Sequence, residues 1–170
     1  MARISGRHAA LLMVDLINHF EFPGGEALLE NAGSMVRPLL SLRRRAHAAG
    51  VPVIYANDNF DDWHSDSSLI LKRCLRRGCR GARFTRSIAP QRRDYFVLKP
   101  ANSGFYGTTL ETMLRALEVE HLIIAGSVLK TAYCLPRTTR TCVGTSCTFR
   151  RTAWHLSARA TPSARSNRCG

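Results

Sequence analysis

The sequence predicts an α/β fold built on a parallel sheet, and three observations carry that prediction. Short apolar runs of strand length recur along residues 8–126. Two of these runs end on a charged residue, and the stretches between the runs place apolar residues at helical spacing. A strand buried on both faces reads as a continuous apolar run rather than an alternation, as in parallel sheets covered by helices. Strand, helix and strand in succession then imply right-handed crossovers.

The elements follow in order. His8 to Asp15 is an apolar run that closes on a carboxylate and suits a central strand. Pro23-Gly-Gly punctuates, and Ala27 to Ala48 has the apolar spacing of a helix, with Gly50 just past its end. Val51 to Ala56 is the second strand, Pro52 being tolerable at its start. Tyr95 to Lys99 is the third, again ending on a charge. Thr108 is placed to cap a helix through Leu117, with Glu111 at the capping-box position. His121 to Gly126 is the fourth strand.

A length of 170 residues corresponds to about one domain. With 45% hydrophobic and 22% charged residues, the composition excludes wholesale disorder, collagen-like repeats and a membrane-embedded bundle. No apolar run reaches the roughly 18–20 residues needed to span a bilayer. The basic N-terminus is followed by an apolar stretch that meets Asp15 too soon for a secretory signal. A cytoplasmic location is expected.

Charge divides the chain in two. Residues 1–128 hold seventeen basic and all twelve acidic residues, a net +5. Residues 129–170 hold the other eight basic residues, no acid and four of the six cysteines. The expected organisation is therefore an α/β domain over residues 1–128 and a separate basic, Cys/Thr/Arg-rich tail over residues 129–170.

In open α/β sheets, ligands bind outside the carboxyl ends of the strands. Asp15, Asn57, Asp58, Lys99, Gly126 and Ser127 all fall at such ends. A carboxylate beside an ammonium is expected to titrate lower than usual. Such a couple offers a base and an electrostatic stabiliser in one cleft, or else a structural ion pair at the sheet edge.

The residues from Leu12 to Asn18 with Phe20 and Pro23-Gly-Gly, then Val53 to Asn59, Phe96 to Pro100, Ser103-Gly-Phe105 and Leu122 to Gly126, resemble the isochorismatase-like cysteine hydrolase family. The resemblance covers most of residues 8–128, in order and at matching spacings. It implies a three-layer α/β/α, Rossmann-like fold, often oligomeric, and cleavage of amide-type bonds in small molecules. It further implies a triad of an aspartate after the first strand, a lysine after the third and a cysteine in the turn after the fourth. The first two carry over onto Asp15 and Lys99. The residues expected to face substrate are Phe20, Asn57, Asp58, Phe105 and Ser127; no cofactor and no metal are expected. A thiol is only a few per cent thiolate at neutral pH, so it needs a neighbouring base and positive charge. In the implied triad Asp15 takes the thiol proton and Lys99 holds the carboxylate, while backbone N–H groups bind the developing oxyanion.

The implied nucleophile is absent. The family spacing puts it six residues beyond Gly126, where this chain has Ala132. Cys134 is a weak substitute, because two helical residues turn a side chain by about 200°. From Pro136 to Thr148 there is neither helical nor strand periodicity. Codons can be chosen for residues 128–170 so that one shifted frame stays open. It places a cysteine at the position of Ala132, followed by an apolar-periodic helix, a strand and a Pro-Ala-Asp-Cys turn. The tail is therefore expected to be out of frame from about residue 129, poorly ordered, and to leave the fourth strand with an uncovered flank.

Other features carry less. Asp62-Trp-His64 has the spacing of a metal pair, but a divalent site needs about three protein ligands and no third is in reach along the sequence. Cys74 and Cys79 are expected to be reduced. Nine basic residues and no acid lie between Lys72 and Arg93, which suits a solvated helix face better than a phosphate-binding arm. The expected function is thus an isochorismatase-type hydrolase, inactive here for want of its cysteine, with a small-molecule substrate and neither nucleic acid nor membrane as partner. Two alternatives are a non-enzymatic basic protein whose tail binds nucleic acid or acidic surfaces, and vinyl-ether hydrolysis that uses the aspartate without a cysteine.

Overall fold

The computed structural model describes residues 8–100, 104–105, 107–126, 141–143 and 146–150, the last two segments through their backbone alone. Along the chain come β1 (Ala9–Val14), α1 (Gly25–Ala48), β2 (Val53–Asp58), α2 (Ser67–Leu75), α3 (Ala82–Ile88) and β3 (Tyr95–Lys99). They are followed by α4 (Leu110–Ala116), β4 (His121–Gly126), β5 (Thr141–Val143) and β6 (Ser146–Arg150). The sheet has the order β3-β2-β1-β4-β6-β5. Its first four strands are parallel, and β6 and β5 add antiparallel beyond β4.

Alternation along the strands divides the core into two faces. Leu11, Met13, Val53 and Tyr55 pack toward α1, α2 and α3, together with Leu39, Ile70, Phe84 and Ile88. Leu12, Val14, Ile54, Val97, Leu122 and Ile124 pack toward α4, against Leu110 and Leu114. The result is the expected α/β/α layering. β1 is buried along its whole length because strands flank it on both edges and helices cover both faces. Complete burial of a side chain such as Leu11 or Leu12 contributes about 1.5–3 kcal/mol. Among the described residues, no helix is long and apolar enough to cross a membrane.

Several boundaries differ from the sequence expectation. The second strand is displaced two residues toward its carboxyl end, since Val53, not Val51, enters the ladder opposite Leu11. Thr109 rather than Thr108 occupies the cap of α4 and makes no side-chain capping bond. The Thr108 hydroxyl accepts from the Leu110 N–H at 3.2 Å, and Glu111 reaches forward to Arg115 instead of back to the cap. The basic stretch from Lys72 to Arg93 holds α3 and the last four residues of α2. The largest correction concerns the tail: the stretch from Pro136 to Thr148 has no strand periodicity, yet β6 pairs with β4 from Ala125 back to His121. The flank of the fourth strand is therefore occupied.

A buried polar pin joins the α1–α3 layer to the sheet. Arg43 of α1 donates to the Tyr55 hydroxyl (2.8 Å) and to the carbonyls of Ile88 (3.2 Å) and Ala89 (2.7 Å). Tyr55 in turn donates to the Ile88 carbonyl at 2.7 Å. Burial pushes the Tyr55 phenol up to about 12, so it stays a neutral donor at physiological pH.

Close approach explains the glycine that ends β4. A Cβ at Gly126 would overlap the Val14 carbonyl oxygen and stand 3.0 Å from its carbon. Gly126→Ala should therefore spread β1 from β4 and cost about 1–3 kcal/mol, read as a lower urea midpoint with an unchanged m-value. A variant as stable as the parent would show that the two strands separate freely there.

Candidate active site

The connections set where a ligand can sit. β1, β2 and β3 follow one another outward along the sheet, and the chain then returns past β1 to place β4 on its other side. The change of direction falls between β1 and β4, and in such sheets the crevice at the carboxyl ends of those strands is the binding position. Asp15 follows β1 and Gly126 ends β4 at this point, while Asp58 and Lys99 end β2 and β3.

Lys99 is at the centre of the site. It is only 2% exposed, and its Nζ lies 2.9 Å from Asp15 Oδ1 and 3.7 Å from Asp58 Oδ2. A buried ammonium needs such partners, because leaving it alone costs several kcal/mol. The Asp58 backbone N–H also donates to Asp15 Oδ1 at 3.2 Å, so one carboxylate oxygen takes both bonds. The other Asp58 oxygen accepts from the Phe60 N–H at 2.7 Å and turns the chain away from the sheet. Two carboxylates against one ammonium leave the cluster with a formal −1, and Asp58 is its more exposed member.

Asp15 itself has φ 50°, a left-handed conformation uncommon outside glycine. Its N–H still bonds the Ala56 carbonyl at 3.0 Å, so the strain comes after the last ladder bond, where the chain must turn into its loop. Residues held this way cluster at functional sites. Burial raises the Asp15 carboxyl above its ordinary value; Lys99 pulls it down by charge and hydrogen bond but does not offset the desolvation. This corrects the expectation of a lowered carboxyl, which considered the ammonium without the burial.

The loop from Leu16 to Phe20 is fixed from two sides. Asn57 is 1% exposed and uses both ends of its amide on Ile17, accepting from the N–H and donating to the carbonyl at 2.9 Å each. From the other side, Thr85 donates to the Asn18 carbonyl, Gly81 to that of His19 and Arg80 to that of Phe20, at 3.1, 3.0 and 2.8 Å. Phe20 is buried and meets Phe84 edge to face. Asn57 and Phe20 therefore hold the loop, and the amide and ring expected to face substrate are occupied within the protein. Nothing in the local sequence marks Arg80, Gly81 or Thr85, which lie some sixty residues from their partners. His19 accepts the Glu21 N–H on Nδ1 at 2.8 Å. Burial, with Arg73 nearby, holds its pKa below the usual histidine range.

Phe105 is half-buried and packs against the α4-side core. Ser127, Ala132 and Cys134 lie outside the described residues. Both described cysteines are free and buried, on or just after α2. Burial pushes the Cys74 thiol up to about 12, where it is no nucleophile, and Cys79 donates its thiol to the His19 carbonyl. The Asp62-Trp-His64 segment is a turn in which Asp62 accepts the His64 N–H. Among the described residues, no group of three potential metal ligands converges.

Comparison with known proteins places this geometry in a family. The isochorismatase domain matches residues 9–145. The uncharacterized isochorismatase family protein YaaI of Bacillus subtilis (strain 168) is 42% identical over 117 residues, covering 69% of this chain and 64% of that protein. The ureidoacrylate amidohydrolase RutB of Yersinia enterocolitica is 29% identical, covering 78% of this chain and 67% of its own. Among solved structures, the cysteine hydrolase from Pseudomonas syringae pv. phaseolicola 1448A is similar with a TM-score of 0.59 and 30% identity, over 76% of this chain and 63% of that one. The chain thus spans somewhat under two thirds of the length of YaaI and of that hydrolase. On the domain match over residues 9–145 and the 42% identity to YaaI, the chain belongs to the isochorismatase family.

Proposed function

We propose that the chain carries the framework of a small-molecule hydrolase that cleaves an amide-type C–N bond, and that it lacks the thiol nucleophile this reaction uses. The carrying observation is the buried 2.9 Å pair of Lys99 and Asp15 at the strand crossover. Similarity to an amidohydrolase and to a cysteine hydrolase supports the same chemistry.

In this reading Asp15 is the proton acceptor. A carboxyl raised by burial is a stronger base than one in water, and a base is most effective when its pKa approaches the operating pH. Lys99 keeps that carboxylate in place and stabilises negative charge that develops beside it. The attacking sulfur is expected at the position of Ala132, where this chain has no thiol. We attribute its loss to a shift of reading frame near residue 129, after which the chain has no acid and an excess of Arg, Thr, Ser and Cys. One observation favours a second reading: a carboxyl raised by burial can also donate its proton, which suits vinyl-ether hydrolysis without any thiol.

The purified 170-residue chain should leave ureidoacrylate and simple amides intact. Correcting the frame near codon 128 should give a protein with an alkylatable thiol and an amidase activity lost on Asp15→Asn. Amide turnover by the uncorrected chain, abolished by Asp15→Ala, would overturn the missing nucleophile. Turnover of isochorismate but of no amide would establish the second reading. Sequencing the gene across codon 128 tests the frame directly, and a single open frame with no alternative would refute the shift.

Lys99→Met should leave Asp15 buried without its counter-charge and raise its pKa further. The folded pKa then lies above the unfolded value, so stability is retained below about pH 4 and lost as pH rises through the folded pKa. Urea unfolding should find a deficit of about 3 kcal/mol near neutrality, smaller at about pH 4 and relieved by adding Asp15→Asn. A deficit independent of pH would mean that the ammonium acts by packing alone.

A further inference from the structure

The opposite end of the sheet, where α1 ends and β2 and β3 begin, holds two adjoining clefts. Their volumes are about 430 and 490 Å³, and His47 and Arg93 line both. Arg43 and Arg44 line the second, and Tyr95 stands at the edge of the first, 40% exposed.

The charges here are one-sided. Arg43 is 8% exposed, and all three of its hydrogen bonds go to neutral oxygens. It thus places an elementary charge in a low-dielectric layer with no carboxylate in contact among the described residues. The nearby acid is Asp94, whose side chain is fully buried and already committed. One oxygen is 2.6 Å from His47 Nε2, and the other accepts the Gln91 N–H at 2.8 Å. Carbonyls of the last turn of α1 are taken as well, by the N–H groups of Ala49, Gly50 and Val51. Arg44 and Arg93 are exposed and meet no carboxylate among the described residues. Arg93 is steered toward the cleft by a 3.4 Å contact of its Nε with Gln91. Glu118 and Glu120 precede β4 at the same end of the sheet but do not line the clefts. Residues 129–170 contain no acidic side chain.

We propose that this cleft binds the phosphate or pyrophosphate group of a small molecule, gripped by the forks of Arg44 and Arg93 above the buried charge of Arg43. Paired guanidinium groups match a polyvalent phosphate through bidentate bonds. The concavity favours a compact anion over a long polyanion, which would need a continuous ridge of contacts. The site is independent of Asp15 and Lys99, which end the strands at the other edge of the sheet.

Titration of the full chain with inorganic pyrophosphate at fixed low ionic strength, followed by calorimetry and by amide resonances, tests this. The expected result is one saturable site, with shifts concentrated at His47, Gln91, Arg93 and Tyr95 and affinity falling as salt rises. Arg44→Gln with Arg93→Gln, both exposed positions, should weaken binding at least about tenfold, the worth of one lost charge-assisted contact. Lysines at the same two positions should give an intermediate affinity, and Asp15→Asn should leave it unchanged. Failure to saturate, several equivalents per chain, or equal affinity in the glutamine variant would overturn the site. So would a short DNA duplex that binds more tightly than pyrophosphate and survives both substitutions, which would give the basic surface to nucleic acid instead.

Discussion

A cation held out of water at the mouth of a sheet is the constraint on which the rest of this structure depends. Lys99 is almost inaccessible, and its ammonium is tolerable only because Asp15 and Asp58 converge on it from two neighbouring strands. That requirement fixes the relative register of β1, β2 and β3 at their carboxyl ends. Asp15 stands in a left-handed conformation immediately after its strand. In return the cation holds down a carboxyl that burial alone would drive higher. The carboxyl's basicity is thus set by opposing effects, of which burial is the larger.

Holding that acid in place takes more of the protein than the ion pair. The loop after β1 is bonded to Asn57 on one side and to the segment from Cys79 to Thr85 on the other. Close packing allows this: a Cβ at Gly81 would overlap the Asn18 carbonyl oxygen. Asn57 bonds the Ile17 backbone and Phe20 packs against Phe84, so both take part in holding this loop. A reactive group on a loop gains precision only when its supporting contacts are themselves buried and satisfied.

The two ends of the sheet have acquired different characters. Acid gathers at the carboxyl ends of the strands, where two carboxylates surround one lysine. At the other end, Arg43, Arg44 and Arg93 line a cleft whose nearby carboxylate, Asp94, is paired with His47. The flank of β4 is taken by β6, so this edge is extended rather than left bare. Backbone pairing of this kind asks little of side-chain pattern, and a segment without strand periodicity can supply it.

By itself the sequence determined the layered α/β fold, four of the strands and the strand-end residues Asp15, Asp58 and Lys99. Each of these is written in local pattern: a buried parallel strand is a short apolar run, and its last residue marks where the run stops. Family motifs added the pairing of Asp15 with Lys99, residues 84 positions apart. Only the tertiary structure decided that Asn57 and Phe20 face inward, that Arg43 is buried among neutral oxygens, and that Asp15 titrates high rather than low. Those outcomes depend on how much water each group loses and on which distant backbone it meets. Burial and long-range contact are properties of the packed chain, and no local period encodes them.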